Sequence, residues 1–408
     1  MEITKTKRLL ALTAIFASTI VVMADLVITP VIGLIYGYYP DHVSAVNFIV
    51  SGPMLVLVIA SLLTPLLFKV MDKKLVFIIG SAIFTVGAIF GVAVDHPLYI
   101  CFTRALVGVG EGIVNVVGIT YIAELYQEQK DRSRITGFYN AALSVAGMVL
   151  SYVAGMLAAD GVWLQVYKIY WIAIPMLLLV IFLIPSVKPV KKASAAADSE
   201  KKVKQKKDQL GWKYWFMTVC WFVINVVLGA SILYYLSLYI FENGLGDSTF
   251  SGLCIAVKSI CGILICIGFG WIMNRCKRYT STISYAVAAV TLIAMVIMPS
   301  KFMALVIGTI CGLTYKILFS YNYAHGFEIV PASRTDDAVS ITTAVYGVGS
   351  FLCTYFATWL MTVMKTDMVT PTWYVIAAIV GVVLVADIIA IAVEKKQEAP
   401  MESQTESQ

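Results

Sequence analysis

The sequence predicts an all-α membrane protein with twelve transmembrane helices in two pseudo-symmetric six-helix bundles. Hydrophobic residues make up 60% of the 408 residues and charged residues only 13%, whereas a soluble domain has about 25% charged residues. Apolar segments of about 20 residues, the length that crosses a bilayer as a helix, recur along the whole chain. The longest polar interval lies near the midpoint, so the segments divide into six and six.

Each half of the chain supplies six of these segments. We expect the first six helices near residues 9–34, 43–67, 75–94, 98–122, 135–158 and 163–185. We expect the second six near residues 213–240, 250–272, 281–298, 303–325, 338–363 and 372–393. The predicted bundles comprise residues 1–187 and 212–394, joined by a basic linker over 188–211 and followed by a disordered polar tail over 395–408.

The charges in the loops predict the orientation of the chain. Lysines and arginines cluster in the N-terminus, the linker and alternate loops, and the intervening loops carry Asp41, Asp95, Asp160, Glu242 and Asp247. Basic loops stay on the cytoplasmic side of a membrane. We therefore expect a plasma-membrane protein, surrounded by lipid, with both termini in the cytoplasm. The net charge of +6 belongs to these loops, so it gives no indication of nucleic-acid binding.

The fourth apolar segment carries two charges where hydrocarbon is expected. Arg104 and Glu111 are seven residues apart, so both side chains leave the same helix face about 10 Å apart along the axis. Gly108, Gly110 and Gly112 lie beside them and should let a neighbouring helix backbone approach closely. A charge at this depth costs roughly 2.5–3.5 kcal/mol, and such residues face a bundle interior or a wet cavity.

Further ionisable residues lie at matching depths. Asp25 of the first segment could reach Arg104, because a paired carboxylate and guanidinium is far less costly than either charge alone. Protonation of Asp25 would then release Arg104 for substrate, and the alternative is a static ion pair. Glu111 and Lys316 both lie about 21 Å along their helices, so we expect them to face each other across a cavity. Glu111 is the first candidate for a proton carrier and Asp25 the second.

Three other residues are candidates for the same interior. Lys258 in the eighth segment is a further cation that faces either the cavity or, through its long stem, the membrane surface. Tyr315 precedes Lys316 and can donate a hydrogen bond beside it. Asn225 is a candidate substrate contact, together with nearby tyrosines, since aromatic walls suit amphipathic solutes. Core packing would explain Asn225 and those tyrosines equally well.

Two stretches resemble motifs of a known family. The loop TPLLFKVMDKK, from Thr64 to Lys74, resembles the loop motif of the major facilitator superfamily, with Phe68 where an acid is usual. The run from Arg104 to Gly110, RALVGVG, resembles the arginine-centred motif of the drug:proton antiporters in that superfamily. The resemblance implies the major facilitator fold over essentially the whole chain, with segments one, four, seven and ten around a central cavity. It also implies a role for the arginine in proton transfer.

In that family, charged groups at the loop ends latch one state by pairing between helices. The candidate cytoplasmic gating residues are Lys69, Asp72, Lys73, Lys74, Glu124, Arg132, Arg275, Lys277 and Glu328. A shift of 204 residues aligns Lys73 with Lys277 and Glu124 with Glu328, as expected of duplicated six-helix halves.

These observations predict a secondary active transporter that works by alternating access. The first hypothesis is proton-coupled efflux of small amphipathic compounds. The alternative is proton-coupled symport or exchange of small organic anions, because three interior cations outnumber two interior acids. An enzyme, receptor or channel would need a nucleophile, a soluble domain or a filter motif that the sequence lacks.

The energy source follows from what the sequence does not contain. It has no ATP-binding motif, so we expect an ion gradient, with protons as the coupling ion, to drive the transport of a small molecule. The eight cysteines are scattered singly and only three histidines occur, so we expect neither a metal nor a cofactor. We expect a monomer.

Overall fold

The computed structural model describes residues 5–126, 128–186, 210–331 and 335–405, and the regular secondary structure of these residues is helical. The predicted linker over 188–211 lies almost entirely outside the described residues. We number the membrane segments α1 to α12 in chain order. A segment that contains several short helical pieces keeps one number.

The first half contains α1 to α6. Their bounds are α1 in five pieces (Lys5–Ala17, Thr19–Val22, Ala24–Val27, Thr29–Val31 and Ile32–Tyr38), α2 Val43–Leu67, α3 Lys73–Ile89, α4 Pro97–Leu125, α5 Gln129–Leu157 and α6 Trp163–Leu183. In α1 the middle pieces are 3₁₀ turns around Asp25 and Pro30, and the segment bends by 43° just before them, between Val22 and Ala24. Proline lacks the backbone N–H that an α-helix would use.

The second half contains α7 to α12. Their bounds are α7 in three pieces (Trp212–Leu228, the π turn Gly229–Tyr234 and Leu236–Glu242), α8 Ser248–Cys276, α9 Tyr279–Ile297, α10 in two pieces (the π turn Met303–Ile307 and Gly308–Ile329), α11 Thr335–Met364 and α12 Thr372–Thr405. The last helix extends into the predicted disordered tail, because lengthening an existing helix needs no new nucleus. The prediction for residues 395–405 is therefore corrected to helix.

The helical segments agree with the predicted segments one by one. Among the described residues, ten helices are long and apolar enough to cross a membrane, and α1 makes eleven if its bent pair counts as one span. The first piece of α7 is apolar but shorter than a full span, because the π turn interrupts it. The all-helical, membrane-spanning fold class is confirmed. The count of twelve spans stays a prediction.

The two halves meet at one end of the bundle. We call this the acidic end, because its loops carry Asp41 and Asp95 among other acids, and we call the opposite end the basic end. The pairs α2–α11 and α5–α8 form the main contacts between halves. Within the described residues, the hydrogen bonds between halves all lie in the acidic half of the bundle.

Hydroxyl and amide groups form this contact. The hydroxyls of Tyr36 and Tyr235 share a hydrogen bond of 2.7 Å, and Asn47 Nδ2 donates to Thr358 Oγ1 at 2.9 Å. Between α5 and α8, Ser248 Oγ donates to the carbonyl of Ala158 at 2.7 Å. The structure is therefore a state in which the two halves are joined by polar contacts at the acidic end.

Candidate functional site

Arg104 is the centre of a buried polar cluster in the first half. Its side chain is 1% exposed. Its Nε donates to the carbonyl of Ile49 at 2.9 Å, Nη1 donates to the Tyr170 hydroxyl at 3.3 Å, and Nη2 pairs with the Asp25 carboxylate. Three different helices therefore hold the guanidinium, which stabilises its charge in a medium of low dielectric constant.

Glycines in α4 bring the neighbouring helix close enough for these contacts. A Cβ built on Gly108 would lie 2.4 Å from the carbonyl oxygen of Pro53, and one on Gly112 would lie 2.5 Å from that of Leu57. Only a residue without a Cβ permits this approach of α2 to α4. The predicted close approach of a helix backbone is confirmed, and it explains how Arg104 reaches a backbone carbonyl of α2.

Asp25 lies on the 3₁₀ turn that breaks α1. Its side chain is 13% exposed, so it is the more accessible member of the pair with Arg104. The Tyr170 hydroxyl donates to the carbonyl of Ala24 at 3.2 Å, which fixes the turn beside the arginine. The two residues that the sequence matched by depth are thus in direct contact. Protonation of Asp25 would remove the negative charge from this contact.

Glu111 lies deeper in the same region. It is fully buried, and its carboxyl group faces the backbone of Asp25. Among the described residues, neither carboxylate oxygen has a hydrogen-bond partner. An ionised carboxylate without partners is very costly in such surroundings. The position suits a group that takes up and releases a proton.

The predicted contact between Glu111 and Lys316 is not present. Glu111 lies against α1, whereas Lys316 lies against α8, where a Cβ built on Gly262 would be 3.8 Å from its Cγ. Equal depth gave the two residues the same level in the membrane. It did not give the direction in which each side chain leaves its helix.

Asn225 and Tyr315 meet in the second half. The Tyr315 hydroxyl donates to Asn225 Oδ1, and Asn225 Nδ2 donates to the carbonyl of Tyr346 at 2.5 Å. The Trp221 ring stacks on the Tyr346 ring, with centroids 6.4 Å apart, and lies 5.6 Å from the Tyr315 ring. We call Trp221, Asn225, Tyr315 and Tyr346 the aromatic cluster. It joins α7, α10 and α11.

Lys258 and Lys316 also lie together, on the packed pair α8 and α10. Lys258 Nζ donates to the carbonyl of Ile232 at 3.0 Å, and this carbonyl belongs to the π turn of α7. A π turn disturbs the regular helical hydrogen bonds, so the lysine supplies a donor there. Lys258 therefore faces the protein interior rather than the membrane surface.

The gating candidates at the basic end are only partly brought together. Lys73 and Glu124 form an ion pair, and Lys73 Nζ also lies 5.5 Å from the centre of the Phe68 ring, the residue that replaces the usual acid. Asp72 accepts a hydrogen bond of 3.5 Å from Ser186 Oγ. Lys69, Arg275 and Lys277 are exposed and Lys74 is half-buried. The side chains of Arg132 and Glu328 lie outside what the structure describes.

A second charged cluster at the basic end was missed. Arg278 Nη1 lies 2.9 Å from Asp387 Oδ1, and Arg278 Nε lies 3.1 Å from Glu394 Oε2. Ser281 and Thr282 donate to the other Asp387 oxygen at 3.0 and 2.6 Å. The cluster ties the start of α9 to α12. A lone aspartate in the apolar run VLVADIIA was the signal that could have found it.

Comparisons with known proteins agree with this architecture. A sequence-family profile described as Major Facilitator Superfamily matches residues 10–354. No curated protein matches the chain in sequence. The solved structure of a D-xylose-proton symporter has a TM-score of 0.71 at 15% identity, covering 93% of this chain and 95% of that chain. The nucleoside transporter NupG has a TM-score of 0.69 at 12% identity, covering 92% and 99%.

A bacterial homologue of the human lysosomal transporter Spinster, in an inward-facing and unoccupied conformation, has a TM-score of 0.70 at 14% identity, covering 96% of both chains. At these identities the solved structures share the fold alone. The family profile, however, covers most of the chain. This chain therefore belongs to the major facilitator superfamily and is a membrane transporter rather than an enzyme.

Proposed function

We propose that this transporter is driven by protons, which bind at the cluster of Asp25, Arg104 and Glu111. The observation that carries the proposal is the state of Glu111, a fully buried acid whose oxygens have no hydrogen-bond partner among the described residues. A structural acid would be paired or hydrogen-bonded. An acid that must exchange a proton is held in surroundings that favour its neutral form.

The neighbouring ion pair of Asp25 and Arg104 couples proton binding to a conformational change. When Asp25 is ionised, it neutralises Arg104 and holds α1 against α4. When Asp25 is protonated, Arg104 keeps its contacts with Ile49 and Tyr170 but loses its counter-charge. The broken part of α1 then loses its charged contact with Arg104, and the segment can move relative to α4. The positive charge of Arg104 also becomes available to Glu111.

The proposed cargo is a small amphipathic compound, moved out of the cell across the plasma membrane. The support is the aromatic cluster, in which the stacked rings of Trp221 and Tyr346 provide apolar surface beside the hydrogen bond of Tyr315 to Asn225. Pockets for such solutes are mostly apolar with a few polar groups that fix orientation. The basic loops are proposed to be cytoplasmic, with both termini, and the acidic end faces outward.

A second candidate, proton-coupled symport or exchange of small organic anions, is favoured by a specific observation. Lys258 and Lys316 lie close together in the second half, away from the acids of the first half. Two neighbouring ammonium groups can donate several hydrogen bonds to one oxygen anion. An anionic cargo would accept these hydrogen bonds during transport.

The test of proton coupling uses the purified full chain in liposomes with an imposed pH gradient. A pH-sensitive dye in the lumen reports proton movement while candidate compounds are added one at a time. Wild type should show compound-dependent proton flux, and Glu111→Gln should abolish it. Asp160→Asn, at an exposed acid in a loop, is the matched control and should behave as wild type. Full proton flux in Glu111→Gln would refute the role of Glu111.

A further inference from the structure

The lysines of α8 and α10 are arranged reciprocally. Lys258 comes four residues before Gly262 in α8, and Gly312 comes four residues before Lys316 in α10. A Cβ built on Gly312 would lie 2.5 Å from Cδ of Lys258, and one on Gly262 would lie 3.8 Å from Cγ of Lys316. Each lysine stem therefore passes over the glycine one turn from the other lysine. A larger residue at Gly312 would force the Lys258 stem to shift.

Both lysines lie far from the ends of their helices. Lys258 is ten residues after the start of α8, which is about 15 Å at 1.5 Å per residue. Lys316 is about 20 Å along α10 by the same measure, and its side chain is exposed. Charged side chains at that depth face the bundle interior or a water-filled cavity rather than lipid tails. Lys316 therefore borders a water-filled part of the bundle.

Lys258 has hydrogen-bond donors that its contact with the π turn of α7 does not use. The hydrogen bond of Lys258 to Ile232 uses one of its three N–H donors. The remaining donors can bind a further acceptor.

We propose that Lys258 and Lys316 form a binding site for the carboxylate or phosphate group of the transported compound. Oxygen anions of these two kinds accept strong hydrogen bonds from several ammonium donors at once. The proposal deepens the proposed function, on which it rests, because it names the charged part of the cargo. Tyr315 adjoins Lys316 in sequence and belongs to the aromatic cluster, so the cargo combines an anionic group with an apolar or aromatic remainder.

The test measures equilibrium binding to the full chain in lipid nanodiscs, without any gradient. The probes are benzoate, inorganic phosphate and benzyl alcohol, the last being the neutral counterpart of benzoate. Calorimetric titration gives their affinities, and thermal unfolding gives an independent readout of binding. We expect benzoate or phosphate to bind wild type and benzyl alcohol to bind at least about tenfold more weakly.

Substitutions assign the binding to the two lysines. Lys258→Met and Lys316→Met should each weaken anion binding by about tenfold or more, the usual effect of losing one hydrogen bond to a charged group. Lys258→Arg keeps the charge and should retain most of the affinity. Lys168→Met, at an exposed lysine near the acidic end, is the control and should bind as wild type does.

The outcomes separate this proposal from the proposed proton coupling. If neither anion binds wild type, or if both methionine variants bind as wild type does, the lysine site is refuted. If Lys258→Met does not fold, Lys316→Met and Lys258→Arg still decide the question. If the methionine variants lose anion binding while Glu111→Gln keeps its proton flux, the lysine site stands and the proton role of Glu111 is refuted. A preference for benzoate over phosphate assigns the carboxylate, and the reverse assigns the phosphate.

Discussion

Replacing Asp25 by asparagine should destabilise the protein strongly, because it removes the counter-charge of a buried arginine. Arg104 is 1% exposed and Asp25 is 13% exposed, so water screens this pair only weakly. Asparagine has nearly the same shape and keeps an oxygen that can accept a hydrogen bond. The substitution therefore tests the charge of the pair rather than its packing.

The size of the effect follows from the contacts of Arg104. Breaking a buried ion pair by removing one partner costs about 3–5 kcal/mol. The guanidinium retains its hydrogen bonds to Ile49 and Tyr170, so we expect the low end, a loss of about 3 kcal/mol in the free energy of unfolding. Glu111→Gln is the comparison at an acid without a hydrogen-bond partner, and it should cost less than about 1 kcal/mol.

The assay is reversible denaturation in mixed micelles, followed by the loss of helical circular dichroism. The double variant Asp25→Asn with Arg104→Gln removes both charges, and we expect it to be more stable than Asp25→Asn alone. If Asp25→Asn were as stable as wild type, the pair would not hold the cluster. If the double variant were less stable than the single one, the unpaired charge of Arg104 would not be the cause.

Three further predictions use the same denaturation assay. Gly108→Ala should lower the free energy of unfolding by about 1–3 kcal/mol, because its Cβ would lie 2.4 Å from the carbonyl oxygen of Pro53. The control Gly37→Ala has open space around its Cβ and should cost less than about 0.5 kcal/mol. The hydroxyls of two neighbouring tyrosines donate to Asp95 and lower the pKa of this loop carboxyl. The contribution of Asp95 to stability is therefore present at neutral pH and lost as the pH falls through the lowered pKa. Wild type and Asp95→Asn should differ in their free energy of unfolding at pH 7 and converge below about pH 4. Lys73→Ala breaks a partly exposed ion pair and should cost no more than about 1 kcal/mol, an effect that shrinks as salt is added; a larger loss would contradict the exposure of the pair.

The sequence indicated how deep in the membrane each charged residue lies, but not the direction in which its side chain leaves the helix. Asp25 and Arg104 could be matched because a buried charge needs a counter-charge and the two lie at compatible levels. Glu111 and Lys316 satisfied the same rule of depth, yet Glu111 lies against α1. The rotation of α4 depends on which neighbour contacts its glycines, and this packing involves residues far apart in the chain.

Other features had weak local signals or none. No proline or polar run marks the π turn of α7, so the free carbonyl that binds Lys258 could not be predicted. The pairing of Arg278 with α12 could have been suspected from Asp387, an isolated acid in an apolar segment. Its partner among several basic residues at the same end was fixed only by the fold.

The contact that joins the two halves at the acidic end consists of uncharged groups. The pairs Tyr36–Tyr235 and Asn47–Thr358 can each exchange their partner for water at a net cost of only about 1 kcal/mol. Breaking these pairs separates no opposite charges. Changes in salt concentration or in membrane potential should therefore leave this contact unaffected, so that any voltage sensitivity of the transport cycle must come from the charges buried beneath it.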